Sequence, residues 1–418
     1  MSDARVLADA PWLRSGPASR VLELLNGEGA EARVIGGAVR NALLGLPIGD
    51  IDIATSALPA EVIRRARAAG IKSVPTGIAH GTVTLVVEGQ PFEVTTLRED
   101  VETFGRKAKV AFGGDWIRDA ERRDFTINGL SVDAGGVVHD YVGGLDDIAA
   151  RRVRFIGDPD RRLAEDYLRI LRFFRIHAAY GVGEPDRDGY LACIRAPAGL
   201  ATLSAERVRM EMLKLMIAEG ATTAVAAMAE GGLLLPIFGG VAYIGPFAAM
   251  IAAERRLGLA PNAIRRLGAL AVAVTEDARR LAARMRLTNN ETKALDSMGH
   301  RWWRMAGMDE GRARRRLYRL GAERYRDRLM LAWARAGDGT GSDSWRALAN
   351  LPERWQAPKF PLKAADFVAR GIAEGPALGH VLALAEDAWL AADFPLEEPA
   401  LDAIADQTMT RFNRDHRL

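Results

Sequence analysis

The stretch Val34-Ile-Gly-Gly-Ala-Val-Arg-Asn-Ala-Leu-Leu-Gly-Leu-Pro-Ile-Gly-Asp-Ile-Asp-Ile53 contains the signals of two strands, a turn and a helix. A short apolar run leads into Gly36-Gly37, a helix is predicted from about Ala38, and a second strand follows Gly49. Residues without side chains at a helix start let backbone N–H groups approach phosphate oxygens, and Arg40 adds a charge one turn later. The stretch therefore favours a triphosphate-binding turn, although a Gly-Gly turn alone is more often only a tight turn.

Two acidic residues lie near the end of this stretch. The period of two residues in a strand places Asp50 and Asp52 on one face and Ile51 and Ile53 on the other. Carboxylates held side by side repel each other unless a cation lies between them, and hard oxygen ligands suit Mg²⁺. Such ions activate an attacking hydroxyl and stabilise a leaving oxyanion in phosphoryl transfer. We therefore predict that Asp50 and Asp52 are catalytic ligands of Mg²⁺.

A third carboxylate is expected on a neighbouring strand. The runs Thr82–Val87 and Phe92–Leu97 are joined by Glu88-Gly-Gln-Pro91 and predict an antiparallel hairpin. Glu93 lies in the second run and is the candidate for a third catalytic acid. An acid that alternates with apolar neighbours is equally typical of any half-solvated strand, so both interpretations of Glu93 stay open.

The segment Glu121-Arg-Arg-Asp-Phe-Thr-Ile-Asn-Gly-Leu130 brings together arginine, aspartate and asparagine. Side chains of these types offer a phosphate clamp, an orienting acid and an amide that contacts sugar hydroxyls. An ordinary N-capped helix start explains Asp124 equally well.

One long helix is predicted over Leu163–Ala178, because apolar residues recur there at intervals of three and four. Asp166 and Arg169, three residues apart, should lie side by side on this helix. The carboxylate accepts a hydrogen bond from an exocyclic amino group and the guanidinium donates to a ring nitrogen or carbonyl, a pattern that matches cytosine and adenine but not guanine and uracil. Taken alone, the pair is more simply a surface salt bridge worth about 0.3–0.5 kcal/mol.

Length and composition bound the fold. The chain has 418 residues, 49% hydrophobic and 27% charged, which excludes disorder as a whole-chain state and allows more than one core. Short β-branched runs and turns occupy roughly the first 150 residues, whereas Ala/Leu/Arg segments with helical periodicity follow Phe155–Asp160. We predict an α/β head with a mixed or antiparallel sheet, followed by an all-α remainder.

Several classes of protein are excluded. A single cysteine, Cys193, rules out an intramolecular disulfide, and the six histidines do not approach zinc-site spacing with it or with each other. No Gly-x-Gly-x-x-Gly follows the first strand, which excludes a nicotinamide-type dinucleotide fold. Glycines and prolines interrupt the uncharged stretch Gly231–Ala253, so no membrane span is expected. The N-terminus carries acids where a signal peptide needs an apolar run, which predicts a cytoplasmic protein.

Five ordered motifs occur between residues 33 and 215. They are Gly36-Gly-Ala-Val-Arg40 with Gly49-Asp-Ile-Asp52, Arg122-Arg-Asp-Phe-Thr-Ile-Asn128, Asp140…Gly143-Gly144…Asp147, Glu165-Asp-Tyr-Leu-Arg169 and Leu203-Ser-Ala-Glu-Arg207. In this order the sequence resembles the class II tRNA nucleotidyltransferase and poly(A) polymerase family, most closely its CCA-adding enzymes. The resemblance implies a catalytic nucleotidyltransferase head (polymerase-β-like) over 1–154, a helical neck with the base-reading helix over 155–219, and a tRNA-binding helical body and tail over 220–418.

The resemblance also implies roles for individual residues. In that family two aspartates bind the catalytic metals, which here means Asp50 and Asp52. The nucleotide-binding residues that it implies are Gly36, Gly37, Arg40, Arg123, Asp124, Asn128, Asp166, Arg169 and Arg172. Asp166 and Arg169 would read the base, and Arg172 would contact the phosphates.

The activity implied is template-independent addition of CCA to tRNA 3′ ends from CTP and ATP, with Mg²⁺ as cofactor and release of pyrophosphate. The body and tail would hold the tRNA acceptor end and elbow, with the arginines of 312–335 and the nearby Trp302 and Trp303 as candidate contacts. Solvated helix faces explain any one of these arginines as well. Neither DNA nor a membrane is expected as a partner.

Three alternatives stay open: a poly(A) polymerase, a partial enzyme that adds only CC or only A, and a catalytically silent RNA-binding protein built on the same fold. Related enzymes often carry a Tyr-x-Asp-x-Arg pattern that is associated with the change from C to A addition. The segment Val101–Lys109 departs from that pattern. That departure does not by itself imply loss of A addition.

Overall fold

The computed structural model describes residues 7–104, 107–113, 115–337 and 342–415. The chain divides into two compact units. The first runs to Ala242 and includes Arg284–Arg286, and the second contains Tyr243–Ala283 and the residues from Leu287 onward. The predicted fold class, an α/β head followed by a helical remainder, is confirmed.

Every strand that the structure describes lies in the first unit. In chain order they are β1 (Ala32–Ile35), β2 (Asp52–Thr55), β3 (Lys72–Gly77), β4 (Thr82–Val87), β5 (Gln90–Thr96), β6 (Arg98–Phe104), β7 (Lys107–Phe112), β8 (Ser131–Val132) and β9 (Val138–His139). Among the described residues, β3-β4-β5-β2-β1-β8-β9 is the order of a mixed sheet, in which β2 and β5 run parallel and the other neighbours antiparallel. β6 and β7 pair with each other as a separate hairpin.

The helices of the first unit surround this sheet and continue beyond it. They are α1 (Pro11–Arg14), α2 (Pro17–Leu25), α3 (Gly37–Leu43), α4 (Pro59–Ala68), α5 (Trp116–Glu121), α6 (Gly144–Ala149), α7 (Pro159–Glu165), α8 (Leu168–Tyr180), α9 (Arg187–Arg195), α10 (Ala205–Ile217), α11 (Ala221–Glu230) and α12 (Leu234–Phe238). Short 3-10 turns occur at Ile78–His80, Thr126–Asn128 and Pro197–Thr202.

The second unit is helical throughout its described residues. Its helices are α13 (Ile244–Arg256), α14 (Ala263–Ala271), α15 (Thr275–Met285, whose last residues belong to the first unit), α16 (Asn289–Gly299), α17 (Glu310–Leu320), α18 (Ala322–Ala336), α19 (Ser342–Ala349), α20 (Leu351–Arg354), α21 (Ala364–Val368), α22 (Pro376–Ala391) and α23 (Glu398–Asp415), with a 3-10 turn at Trp302–Met305.

Apolar faces hold the head together. α2 buries Val21, Leu22 and Leu25, all at most 1% exposed, and packs against β1, β4 and α4. Removing such side chains from water is favourable at about 1.5–3 kcal/mol each. In α8, Phe173 is fully buried and stacks on Phe155 with 5.3 Å between ring centroids. This packing fixes α8 against the segment that follows the sheet.

The prediction of one continuous helix over Leu163–Ala178 is wrong, because the helix is interrupted between α7 and α8. α7 ends at Glu165, and Asp166 has an extended backbone with φ −158° and ψ 106°. The Asp166 carboxylate accepts a hydrogen bond from the N–H of Leu168 at 3.1 Å, so it satisfies a free donor at the start of α8. The apolar periodicity continues across the break, and periodicity alone could not locate it.

The stretch that we considered as a membrane span is divided as its glycines and prolines predict. Gly231–Ala253 contains α12, a loop and the greater part of α13. In the parts of the chain that the structure describes, no helix has both the length and the apolar character needed to cross a bilayer.

Candidate active site

A cavity of about 470 Å³ opens in the first unit between the sheet, α3 and α8. Its wall consists of Gly36, Gly37, Arg40, Asp52, Arg123, Asp124, Asn128, Asp166, Leu168, Arg169, Arg172, Arg175, Ile176 and Arg207. All the site residues predicted from the sequence lie in this wall except Asp50 and Glu93. Residues as far apart in sequence as Gly36 and Arg207 are therefore brought to one place.

The Gly36-Gly37 turn joins β1 to α3 at the edge of the cavity. Gly36 has φ 68° and ψ −122°, a conformation that residues with a side chain rarely adopt. Its N–H donates to the carbonyl of Leu130 at 3.0 Å, and a Cβ at Gly36 would lie 3.5 Å from Nη1 of Arg123. The turn thus exposes backbone to the cavity next to a guanidinium.

Arg40 is buried in the cavity wall and has only neutral hydrogen-bond partners among the described residues. Its guanidinium donates to Oδ1 of Asn41 at 2.9 and 3.1 Å, to Oδ1 of Asn128 and to the hydroxyl of Tyr180 at 2.7 Å. Burial lowers the pKa of Arg40 from its usual value. A buried guanidinium whose charge has no carboxylate partner is suited to bind an anion that enters the cavity.

The other arginines of the cavity wall each pair with a carboxylate. The pairs are Arg123 with Asp119 (2.9 Å), Arg169 with Glu165 (2.5 Å), Arg172 with Asp124 (2.7 Å), Arg175 with Glu211, and Arg207 with Asp166 (2.6 Å). Asp124 shows the effect: burial by itself would raise its pKa, but the Arg172 guanidinium and hydrogen bonds hold it below the usual value. Five guanidiniums are thereby fixed in place, and Arg40 differs from all of them.

The acidic edge of the cavity lies at the start of β2. β2 begins at Asp52, so Asp50 precedes the strand, and the alternation predicted for Asp50 and Asp52 within one strand is wrong. β5 runs parallel to β2 with Ile53 opposite Val94, which brings Glu93 alongside Asp52. The pKa of Asp52 is raised by loss of surrounding water, then by the Glu93 carboxylate, while Arg123 opposes and Asp50 adds to the increase.

These carboxylates suit Mg²⁺ by their chemistry. Asp50, Asp52 and Glu93 supply hard oxygen donors, and the charges of Glu93 and Asp50 add to the increase in the pKa of Asp52 that its desolvation causes. Within the described ranges, however, no three His, Cys, Asp or Glu side chains converge closely enough to form a ready-made metal cage. Mg²⁺ commonly binds through one or two protein carboxylates together with substrate phosphates, and Asp50 and Asp52 are the residues that would hold it here.

The two residues predicted to read a base both face the cavity but are not arranged as predicted. Asp166 lies in the break between α7 and α8, and Arg169 lies in the first turn of α8. They do not pair with each other: Arg207 holds Asp166 through two hydrogen bonds of 2.6 and 3.2 Å, and Glu165 holds Arg169. The surface salt bridge considered for Asp166 and Arg169 is therefore wrong, and each side chain is separately oriented.

The Gly-Gly turn at Gly143-Gly144 has a structural role. Asp140 accepts hydrogen bonds from the N–H groups of Gly144 and Leu145 at the start of α6. A Cβ at Gly144 would lie 2.3 Å from the carbonyl oxygen of Thr126. The turn thus allows α6 to pack closely against the segment that contains Asp124 and Asn128.

Sequence reasoning missed several residues of this site. Arg175 follows Arg172 by three positions on α8, so helical spacing could have indicated it. Arg207 belonged to a quoted motif but was given no role, and Tyr180 carried no local signal. Their positions depend on the packing of α8 against α10 and on the contact of Tyr180 with Arg40 of α3, which no short sequence pattern specifies.

This fold and cavity define a nucleotidyltransferase. Residues 32–154 match the family model described as the poly A polymerase head domain, and residues 192–244 match the probable RNA and SrmB-binding site of polymerase A. The chain is 31% identical over 388 residues to mouse CCA tRNA nucleotidyltransferase 1, mitochondrial, covering 91% of this chain and 87% of that protein. It is 32% identical over 383 residues to the CCA-adding enzyme of Limosilactobacillus fermentum, covering 88% and 90% of the two chains.

A solved structure gives the same result. The Bacillus stearothermophilus CCA-adding enzyme in complex with CTP matches with a TM-score of 0.75 at 26% identity, over 97% of this chain and 99% of that chain. The chain belongs to the family of CCA-adding tRNA nucleotidyltransferases, and it is an enzyme.

Proposed function

We propose that the protein adds CCA to the 3′ ends of tRNA, using CTP and ATP and no nucleic-acid template. One observation carries this proposal: a single cavity combines an acidic edge at Asp52, a guanidinium at Arg40 that no carboxylate of the described residues pairs with directly, and two separately held polar side chains at Asp166 and Arg169. The near full-length similarity to proteins named CCA-adding enzymes supports it.

In the reaction, the tRNA 3′ oxygen attacks the α-phosphorus of the bound nucleotide. A new P–O bond forms, the bond to the oxygen between the α- and β-phosphates breaks, and pyrophosphate leaves. Mg²⁺ held by Asp50 and Asp52 would lower the pKa of the attacking hydroxyl and offset the charge on the phosphates. The guanidiniums of Arg40, Arg123 and Arg172 meet that charge from the protein side, already held in place before the nucleotide binds.

Selection of the base follows from hydrogen-bond pattern. The Asp166 carboxylate accepts from the exocyclic amino group of cytosine or adenine, and Arg169 donates to the adjacent ring nitrogen. Because Arg207 and Glu165 hold these side chains from behind, guanine and uracil would leave oriented polar groups unsatisfied.

The test of this function is incorporation into tRNA that lacks its 3′ end. The purified protein, Mg²⁺ and labelled CTP, ATP or both are incubated, and the products are sized on a gel. We expect two C additions with CTP alone and one further A when ATP is also present. A long A ladder would indicate a poly(A) polymerase, a stop after CC or after A a partial enzyme, and no incorporation by a folded, tRNA-binding protein a silent binder.

The domain boundaries and the cytoplasmic location are part of the same proposal. A head over 1–154 agrees with the end of the head-domain match, while the boundary between the two compact units falls after Ala242, within the proposed body and tail. The proposal places the protein in the cytoplasm, whereas the mouse relative is named as mitochondrial.

We assign tRNA backbone contacts to a basic cavity of about 680 Å³ in the second unit. We call it the α17 cavity; its arginines are Arg304, Arg312, Arg315, Arg316 and Arg319, and its acid is Asp387. Arg312 pairs with Asp309 and Arg319 with Asp387, but among the described residues Arg304, Arg315 and Arg316 have no carboxylate partner. Partial burial, then the charges of Arg304, Arg319 and Arg301, lower the pKa of Arg316. The unpaired positive charge favours phosphodiester groups.

The arginines of 312–335 were predicted as tRNA contacts, and only those in the first part of this range line the α17 cavity. The helical structure of this range is broken at Gly321, which has φ 75° and separates α17 from α18. Beyond it, Arg328 is buried, and Arg335 donates to the carbonyl of Val272 and lies over the ring of Tyr243. Arg328 and Arg335 therefore belong to the interior of the second unit and are not exposed contacts for tRNA.

Replacing Arg304 and Arg315 with glutamine together should weaken tRNA binding about tenfold and reduce the dependence of log K on log salt by about 1–2. Fewer phosphates would be neutralised, while kcat at saturating tRNA should stay close to that of the wild type. Filter binding at several salt concentrations measures both quantities. Arg279→Gln is the matched control, because Arg279 is exposed in the same unit and lies 3.8 Å from Asp296. An equal loss in this control would assign the effect to net charge alone.

A further inference from the structure

α8 carries residues of the cavity wall near its start and a partner of Arg40 at its end. Arg169 and Arg172, near its start, face the cavity, and Tyr180 is its last residue. The Tyr180 hydroxyl accepts a hydrogen bond from Nη2 of Arg40 at 2.7 Å, and Cζ of Arg40 lies 3.7 Å from the centroid of the Tyr180 ring. One tyrosine therefore holds Arg40 by its hydroxyl and by its ring.

The hydrogen bonds of Arg40 account for most of its donors. A guanidinium has five N–H groups, of which Asn41 takes two, Asn128 one and Tyr180 one. One donor on Nη1 has no acceptor among the described residues, in a side chain that lines the cavity. The orientation of that donor depends on the partners of the others.

Tyr180 differs from the other two partners by its origin. Asn41 is the next residue of α3, and Asn128 belongs to the segment that contains Asp124. Tyr180 lies 140 positions from Arg40 and is the partner supplied by α8, the helix that also carries Arg169. A change in the position of α8 therefore reaches Arg40 directly through Tyr180.

The hydrogen-bond partners of Arg40 are all uncharged, which affects how its charge can be used. A carboxylate next to Arg40 would fix it equally well but would compete with the incoming phosphates for its charge. The hydroxyl of Tyr180 and the amides of Asn41 and Asn128 orient the guanidinium and leave its charge for a ligand.

We propose that Tyr180 is a positioning residue that acts through Arg40: it holds the guanidinium toward the phosphates of the incoming nucleotide and connects the base-reading helix to the phosphate-binding residue. This inference rests on the proposed function, since it requires that Arg40 meets nucleotide phosphates. Tyr180 itself is not in the cavity wall, so its effect on a bound nucleotide passes through Arg40.

The test is equilibrium binding of CTP, ATP and cytidine to the full-length protein in Mg²⁺, measured by calorimetry or by displacement of a fluorescent nucleotide. Tyr180→Phe removes the hydroxyl and keeps the ring, so the fold should be retained. We expect the Kd for both CTP and ATP to rise about fivefold to tenfold. Binding of cytidine, which has no phosphates, should not change. Tyr180→Leu removes the ring as well and should weaken the binding of both CTP and ATP further.

Tyr190→Phe is the matched control. Tyr190 lies in the same unit, and its hydroxyl donates to the carbonyl of Ala227 at 3.3 Å, away from Arg40. Its loss should leave all three affinities at wild-type values. Unchanged CTP binding in Tyr180→Phe, or an equal loss for CTP and cytidine, would overturn the role of Tyr180. Failure of the wild-type protein to bind either triphosphate would instead contradict the proposed function.

Discussion

Asp52→Asn is expected to lower kcat for CTP incorporation by about a thousandfold, because the amide supplies no negative charge for a divalent cation at the acidic edge of the cavity. The KM for CTP should change by much less, since Arg40 and the base-reading residues are untouched. Single-turnover incorporation into tRNA that lacks its 3′ end measures the chemical step directly.

The same substitution should not destabilise the protein. Loss of surrounding water raises the pKa of Asp52, and the Glu93 and Asp50 carboxylates add to the increase, which means that its charged form is disfavoured in the folded state. Removing that charge should leave Tm unchanged or higher. A loss of activity together with a lower Tm would indicate misfolding, and a variant that keeps more than about a tenth of wild-type kcat would remove Asp52 from the metal-binding role.

Glu93→Gln separates the two interpretations of the third acid. If Glu93 is a catalytic carboxylate, the substitution should lower kcat by at least about tenfold. As a half-solvated strand residue that only repels Asp52, it would leave kcat near the wild-type value. The parallel pairing of β2 with β5 sets the position of Glu93 but does not choose between these outcomes.

Features that depend on neighbouring residues in sequence were predictable. The turn at Gly36-Gly37 follows from the backbone freedom of glycine, and the hairpin of β4 and β5 follows from two β-branched runs around Glu88-Gly89. The strand at Asp52 was also correct, although it begins two residues later than the alternation of acids indicated.

Features that depend on tertiary packing were not predictable in this way. The guanidinium partner of Asp166 comes from α10 and the hydroxyl partner of Arg40 from the end of α8, 41 and 140 positions away in sequence. The break at Asp166 had a local signal that was overlooked: an aspartate two residues before a helix is a common acceptor for its free N–H groups. Apolar periodicity obscured it because α7 and α8 both bury the same kind of residue.

Asp166→Asn is expected to lower kcat/KM for CTP by about a hundredfold and to raise the relative use of UTP, because an amide presents a donor where the carboxylate presents only acceptors. Uracil carries a carbonyl at the position of the cytosine amino group, so a donor there favours it. Asparagine keeps an oxygen that can accept from the N–H of Leu168, and the start of α8 should therefore stay intact. Competition between labelled CTP and UTP on the same tRNA measures the ratio.

Asp158→Asn is the matched control for this change, because Asp158 caps α7 by accepting from the N–H of Arg161 at 2.8 Å and lies outside the cavity wall. It should leave the CTP to UTP ratio at the wild-type value. Equal losses for CTP and UTP in Asp166→Asn would mean that Asp166 serves only as the partner of Arg207 and supports the site without reading the base. A collapse of the ratio with little loss of total incorporation would instead assign base selection to this carboxylate, since only a group that contacts the base distinguishes two nucleotides with identical phosphates and sugar.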